Sequence, residues 1–560
     1  MLHNQPLNAS QAERFRQAQR LLQSRQPAQA LPIAETLAEQ APHAADAWQL
    51  LGMCLADTGH PQQAETAFER ALALLPGNTM VRRNYAVALA QHGKALRTQD
   101  QLEAAEPVLR KALLLAPDLL SAWIDLGVVL RLLGRIDEAL AAYRTAERML
   151  QQRGSRMPEL QDAINGVLAD AGRPAEAVAG ARTLVALHPA HVPAHETLSH
   201  LLWENDSERA PGEDPLGEFR AAARRQPDNR ALQLAFARML LAAKRADEVL
   251  ALLEPLRRRE PEDALLAWFA ADALDALQQH EQAAPLYAMA ARGDLDRLPE
   301  FLNARARHAF RIRDFELATC CAEKTVELDP NNQEGWSHLG TAWRLAGDER
   351  EHWLCDYDRL VGFAEIAPPP GFDDLSAFLQ TLTDTLDRMH NANREPVNQS
   401  VRGGTQTAGR LFGRDDGVIR AAEDALRTTV EHWLAMLPGD AAHPFLSRKQ
   451  RSVRFVGSWS VRLASSGHHS NHIHNNGWAS SAFYVALPGS VLASGSASRA
   501  GWIQFGQPLE ELGLDLPPRR LIQPKPGHLA LFPSYLWHGT VPFDDPQSRL
   551  TIAFDMQPRG

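Results

Sequence analysis

His472 and His474 stand one residue apart in the run Ser470-Asn471-His472-Ile473-His474-Asn475-Asn476-Gly477-Trp478. His538 follows 64 residues after His474, Arg549 comes 11 residues after that, and Thr551 two further on. Imidazole is the commonest transition-metal ligand, and side chains at i and i+2 of a strand point to one face. One segment can therefore offer two nitrogens to a single ion, and His538 supplies a third. A guanidinium beyond that set is an anchor for an anion, since its planar fork matches a carboxylate. An isolated H-x-H is usually surface or capping chemistry; here the order of the third histidine, the arginine and the threonine argues for a metal site. His468 and His469 follow Gly467 and read as flanks of the pocket. Trp478, Trp502 and Trp537 read as core or pocket wall.

The elements around these residues read as strands. Phe455–Leu463 alternates, Ala482–Ala486 and Leu529–Phe532 are short apolar runs, and Thr551–Phe554 is another, with Pro and Gly punctuating them. Such spacing predicts an antiparallel double-sheet barrel of the jelly-roll or cupin type, with His472-x-His474 carried on a strand. Upstream, residues 373–392 and 417–437 carry helical periodicity, with Leu375, Phe378, Leu379, Leu382 and Leu386 on one face. Between them Gln399–Thr407 is a polar Gly-rich segment; no Gly-Lys-Ser/Thr follows, so it is not a phosphate-binding loop. Arg402 and Gln399 are candidates either for substrate contact or for folding that turn.

Residues from about 10 to 355 repeat themselves. One unit runs Trp48, Leu51, Gly52, Leu55, Ala64, Phe68, Ala71, Pro76; a second runs Trp123, Leu126, Gly127, Leu130, Ala139, Tyr143, Ala146; a third opens Trp336, Leu339, Gly340. Pro42 and Pro76, and again Pro227 and Pro261, are 34 residues apart. The pattern and period resemble the tetratricopeptide repeat, two helices per unit stacked into a superhelix, in about nine or ten units. Pro76 to Pro117 spans 41 residues, so an insertion of about seven falls near Lys94–Gln101. That insertion and a loop at residues 203–215 are expected to decorate one edge. Such arrays commonly hold peptides or partner proteins in a groove. Arg82, Arg83, Asn84 and Asn165 are candidate groove contacts, though a solvated helix face explains any one of them more simply.

Composition limits the alternatives. Apolar residues make up 45% and charged residues 22%, with a net charge of -10, which fits folded domains and gives no basic stripe for nucleic acid. The N-terminal segment lacks a charged stretch followed by an apolar one, and no apolar run reaches membrane-spanning length, so neither secretion nor a membrane is expected. Cys54, Cys320, Cys321 and Cys355 are too few and scattered for a disulfide framework, and a cytoplasmic setting follows.

The barrel half, about 365–560, resembles the 2-oxoglutarate/iron(II)-dependent oxygenases of the prolyl-hydroxylase type. In these, H-x-D/E…H binds iron and a downstream Arg binds the distal carboxylate of 2-oxoglutarate. It is closest to a bacterial group that joins such a domain to tetratricopeptide repeats and carries the phrases found here at Gln399–Thr407, Ser458–Leu463 and Phe532–Thr540. The resemblance implies that His472, His474 and His538 hold iron. It implies that Arg549, Thr551 and Tyr484 serve the cosubstrate, and that dioxygen is consumed in hydroxylating a peptide or protein side chain in the repeat groove. Two alternatives stand beside it: a non-catalytic scaffold with a degenerate barrel, and an oxygenase acting on a small molecule. The implied layout is a repeat array at 1–355, a connector with supporting helices at 356–450 and the oxygenase core at 451–560. One departure stands out. The middle ligand is His474 where a carboxylate is usual, which leaves more positive charge on the site; Asn471, Asn475 or Asp555 would have to answer it from further out.

Overall fold

The computed structural model describes residues 4–205, 208–390, 400–407, 409–493 and 498–559; Gln399 lies outside these. The chain forms two compact units, Met1–Val167 and Leu168–Gly560. The first is built of helical hairpins, among them Ala45–Asp57 with Pro61–Leu74, and Leu120–Leu132 with Ile136–Gln152.

The repeated residues explain the hairpins. Trp48 opens the first helix of its unit and donates its indole N–H to the carbonyl of Pro42, at 3.0 Å. Trp123 does the same to Pro117 at 2.9 Å and Trp336 to Pro330 at 2.9 Å. In each case the proline ends the preceding helix and the tryptophan, six residues on, satisfies its carbonyl. Gly52 keeps the paired helices close: a Cβ there would lie 2.8 Å from the Phe68 ring. Within each unit the first helices of successive repeats touch one another, whereas second helices pack mainly on first helices, so the first helices form the inner row.

The insertion near Lys94–Gln101 forms no edge decoration. Helix Thr79–Thr98 has 20 residues where its counterparts Ala45–Asp57 and Leu120–Leu132 have 13, so the seven extra residues continue the helix by two turns. Asn78 starts this helix by accepting from the backbone N–H of Met80 and Val81. Arg83 pairs with Asp118 at 2.7 Å, the Asn84 amide contacts Met53 Sδ, and Asn165 is buried.

In the second unit helical pairs continue through Pro299–Arg311 with Phe315–Leu328 and on to Gln333–Ala346. The barrel follows as two antiparallel sheets. Its strands are β1 (Gly362–Glu365), β2 (Val401–Gln406), β3 (Val453–His469), β4 (Ala479–Ala486), β5 (Ile503–Phe505), β6 (Arg520–Ile522), β7 (His528–Pro533), β8 (His538–Thr540) and β9 (Arg549–Pro558). One sheet has the order β1-β7-β4-β9-β3-β2, the other β6-β5-β8, which is the jelly-roll-like arrangement expected. Helices Leu375–Asp387 and Gly417–Met436 pack on the larger sheet.

Five short strands escape the sequence pattern: β1, β2, β5, β6 and β8. Of these, β2 makes the Gly-rich segment an edge strand on β3, with a register shift between Arg402 and Gly404. The expected boundary at residue 355 falls inside a single core, in which Leu339, Trp343 and Leu354 of the last repeat cluster with Phe378, Trp433 and Leu529. No helix among the described residues is long and apolar enough to cross a membrane.

Candidate metal centre

Three backbone segments meet at the histidines. His472 and His474 lie on the extended chain between β3 and β4 instead of inside a strand, and His538 opens β8. His472 and His538 form an isolated antiparallel bridge, His472 N–H to His538 O at 2.9 Å and the reverse at 3.0 Å. His474 donates its backbone N–H to Ser534 O at 3.1 Å. Trp478 pins the far end: it is 1% exposed, stacks on Phe445 at 4.4 Å and donates its indole N–H to the Phe445 carbonyl. Cutting such an indole back to alanine costs about 3–5 kcal/mol in general, so this anchor is a firm one.

The ring geometry decides what the histidines can do. His472 Nδ1 lies 2.8 Å from Ser470 O, His538 Nδ1 lies 2.9 Å from Leu536 O, and His474 Nδ1 lies 2.6 Å from Asp555 Oδ1. Carbonyl and carboxylate oxygens only accept, so each Nδ1 carries the proton and each Nε2 presents a lone pair. One ring nitrogen from each of the three lies within 4.8 Å of the others. His472 Nε2 and His474 Nε2 face each other at 3.1 Å. Two nitrogens bound to one metal at right angles, with bonds of about 2.1 Å, sit about 3.0 Å apart. Two bare lone pairs at that distance repel unless a cation lies between them. Burial lowers the His472 pKa to about 3, with His474 adding to the effect, and burial carries His538 and His469 well below the ordinary histidine value. His472 and His538 are therefore neutral, the form in which an imidazole binds a transition metal.

These side chains border a cavity of about 600 Å³ lined by residues of both sheets. Strand β9 lays Arg549, Thr551, Ala553 and Asp555 along it, every second residue of an extended chain. Arg549 is 2% exposed, its Nε has no hydrogen-bond partner, and no carboxylate pairs with it among the described residues. Burial lowers its pKa. Thr551 also lines the cavity, and its hydroxyl makes only a long contact of 3.5 Å to Val461 O. Tyr484 lies outside the lining: its ring sits against the Arg549 guanidinium at 5.2 Å, its hydroxyl is buried without a partner, and burial raises its pKa.

Other expectations sort as follows. His469 ends β3 and borders the cavity, stacked on His472 at 5.7 Å; Ser400 Oγ lies 3.0 Å from His469 Nδ1 and 3.3 Å from His472 Nε2. Asn471 Oδ1 accepts from Gln504 at 2.8 Å, Asn475 sits on an exposed turn, and Arg402 bonds to the Val401 carbonyl. Of the three residues expected to answer the charge, Asp555 is the one in contact with a histidine of the triad. Sequence reasoning missed Ser400 and Trp459, whose ring stacks on His474 at 5.7 Å. Trp459 pairs with Ala553 across β3 and β9, so the β9 alternation was the signal for it.

Residues 457–555 match the family model described as "Putative 2OG-Fe(II) oxygenase", and residues 15–79, 55–95 and 90–153 match the tetratricopeptide repeat. No curated protein matches the chain. Among solved structures, MamA from Desulfovibrio magneticus RS-1 is 18% identical, covering 33% of this chain and 99% of its own, with a TM-score of 0.27. YrrB, described as a repeat protein with an unusual peptide-binding site, is 19% identical over 33% of this chain and 89% of its own, with a TM-score of 0.26.

Proposed function

We propose that the protein is an iron(II)- and 2-oxoglutarate-dependent dioxygenase that hydroxylates a peptide or protein side chain. The observation that carries this reading is the convergence of one ring nitrogen from each of three histidines beside a buried Arg549 that has no acidic partner among the described residues, in one cavity. His472, His474 and His538 would hold the iron, and imidazole is a ligand that iron accepts. With iron and 2-oxoglutarate bound, one atom of dioxygen enters a substrate C–H bond, the other enters succinate, and carbon dioxide leaves.

The chain's own residues do the rest. Arg549 is a guanidinium held out of water without a counter-charge, a costly state that a bidentate carboxylate relieves. Thr551, on the same face of β9, can turn its loosely held hydroxyl to the same anion, while the Tyr484 ring fixes the guanidinium from behind. A cavity of about 600 Å³ has room for a five-carbon diacid and the tip of a substrate side chain. Tetratricopeptide repeats favour a peptide or protein as the partner. The four cysteines are unpaired, as suits a reducing cytoplasm.

Anaerobic addition of iron(II) and 2-oxoglutarate is expected to give a weak visible charge-transfer band, and admission of air is expected to give succinate. His538→Ala should abolish both. A parent chain that gives neither, or a His538→Ala variant that matches it, ends the oxygenase reading.

A further inference from the structure

Asp555 touches the metal centre at one remove. We propose that it is the positioning residue of that centre: through His474 it supplies the negative charge and the ligand orientation that a metal-bound carboxylate would otherwise provide. The inference rests on the reading of His472, His474 and His538 as ligands.

The three histidines are not equivalent. His472 and His538 donate hydrogen bonds from Nδ1–H to backbone carbonyls, those of Ser470 and Leu536. His474 donates its Nδ1–H to a carboxylate, at 2.6 Å. His474 is also the residue that stands where an acidic ligand is expected in H-x-D/E…H. The charge missing from the first ring of ligands is thus present one imidazole further out.

Asp555 is held for this task. The oxygen that accepts from His474 also accepts from Ser480 Oγ at 2.7 Å, and Ser480 Oγ lies 2.8 Å from Ser534 Oγ. Ser534 in turn takes the His474 backbone N–H on its carbonyl, which closes a ring of contacts around the pair. Gly477 allows the chain to approach: a Cβ there would run into Ser534 Oγ and lie 3.3 Å from Asp555 Cβ. Asp555 is 7% exposed, and no lysine or arginine pairs with it among the described residues. Its charge is therefore directed at His474.

The test is titration of the full-length chain with Co(II) alone, which reads affinity and ligand field without turnover. Asp555→Asn is expected to weaken Co(II) binding about 10–100-fold, the usual effect of losing such a partner, while the visible spectrum keeps the form given by three nitrogens. The same substitution in a His474→Asp background should leave affinity unchanged or improve it, because the charge then sits on the metal and Asp555 only repels it. A role limited to packing predicts the same loss in both backgrounds, and that result would overturn the proposal. So would an Asp555→Asn chain that binds as tightly as the parent. If Asp555→Asn alone fails to fold, the two His474→Asp chains decide: weaker binding on adding Asp555→Asn counts against the proposal, equal or tighter binding for it. A parent that binds no Co(II) removes the three-histidine reading itself, which is a different failure.

Discussion

A guanidinium that is 2% exposed with no acidic partner among the described residues is an unusual thing to bury, and it makes Arg549 the sharpest test of the cosubstrate assignment. Removing one side of a buried charge pair typically costs about 2–5 kcal/mol, so Arg549→Ala should weaken 2-oxoglutarate about 30-fold or more. Co(II) affinity should stay as in the parent, since Arg549 makes no contact with the three Nε2 atoms. Arg549→Lys should recover little, because a point charge lacks the planar fork. Titrating the charge-transfer band with 2-oxoglutarate measures this; unchanged affinity in either variant would remove Arg549 from the role. At this scale much was readable from sequence, because His, Arg and Thr at those spacings are chemically specific. Asp555 was readable only as one of three candidates. The strand period that joins Arg549 to Thr551 reaches Asp555 two steps later, but the partner it meets there comes from a segment 81 residues away. Trp459 could be found only by carrying the β9 alternation across to β3, and Ser400 owes its place to the backbone bond from Ser470, which no local pattern reports.

At the scale of elements, the repeats announced themselves because three of them carry the same tryptophan and small residue six residues or more after a proline, and each of these answers a local need. Strands β1, β2, β5, β6 and β8 did not, since three to six residues, two of them glycine in β2, are too few to show an alternation. Helix Gln333–Ala346 adds something no periodicity could show. Its His338 is fully buried between the Phe310 and Trp537 rings, and neither ring nitrogen has a hydrogen-bond partner. Burial lowers its pKa to about 4, despite Glu334 nearby. The unfolded chain then binds the proton first as pH falls. Stability is fully present above about pH 6.5 and is lost down to about pH 4, where the loss levels off. The full effect is about 3 kcal/mol from this one residue. His390, buried and also lowered to about 4, acts in the same direction. Denaturant unfolding at intervals between pH 7 and pH 4 should show the decline, and His338→Leu should flatten part of it. A variant with the parent's full slope would show that His338 is not a source of it.

For the whole molecule, side-chain contacts tie the last repeats to the barrel across the point where the repeat pattern ends. Trp537, next to His538, donates its indole N–H to Thr341 at 2.9 Å, and the Tyr535 hydroxyl donates to Leu354 O at 2.7 Å. Arg344 donates to the carbonyls of Gly506 and Pro517, and Arg311 to that of Glu511. Arg311, Thr341 and Arg344 belong to first helices, so in these repeats the inner row is taken up by the barrel's own chain around Leu509–Leu514. Under the proposed function, a peptide groove is then left to the repeats that precede Pro299, those of Met1–Val167 among them. Two truncations separate the roles. A chain starting at residue 356 loses the partners of Trp537 and Tyr535 and opens the core shared by Leu339, Trp343 and Leu529, so it should aggregate or melt well below the parent and bind Co(II) poorly. A chain starting at Pro158, the first residue of helix Pro158–Asp170, keeps all of these. It should bind Co(II) and 2-oxoglutarate as the parent does, yet lose turnover on a protein substrate. If the shorter chain folds and binds metal normally, the last repeats do not support the site. If the longer one still hydroxylates the protein substrate at the parent's rate, the first unit does not present it.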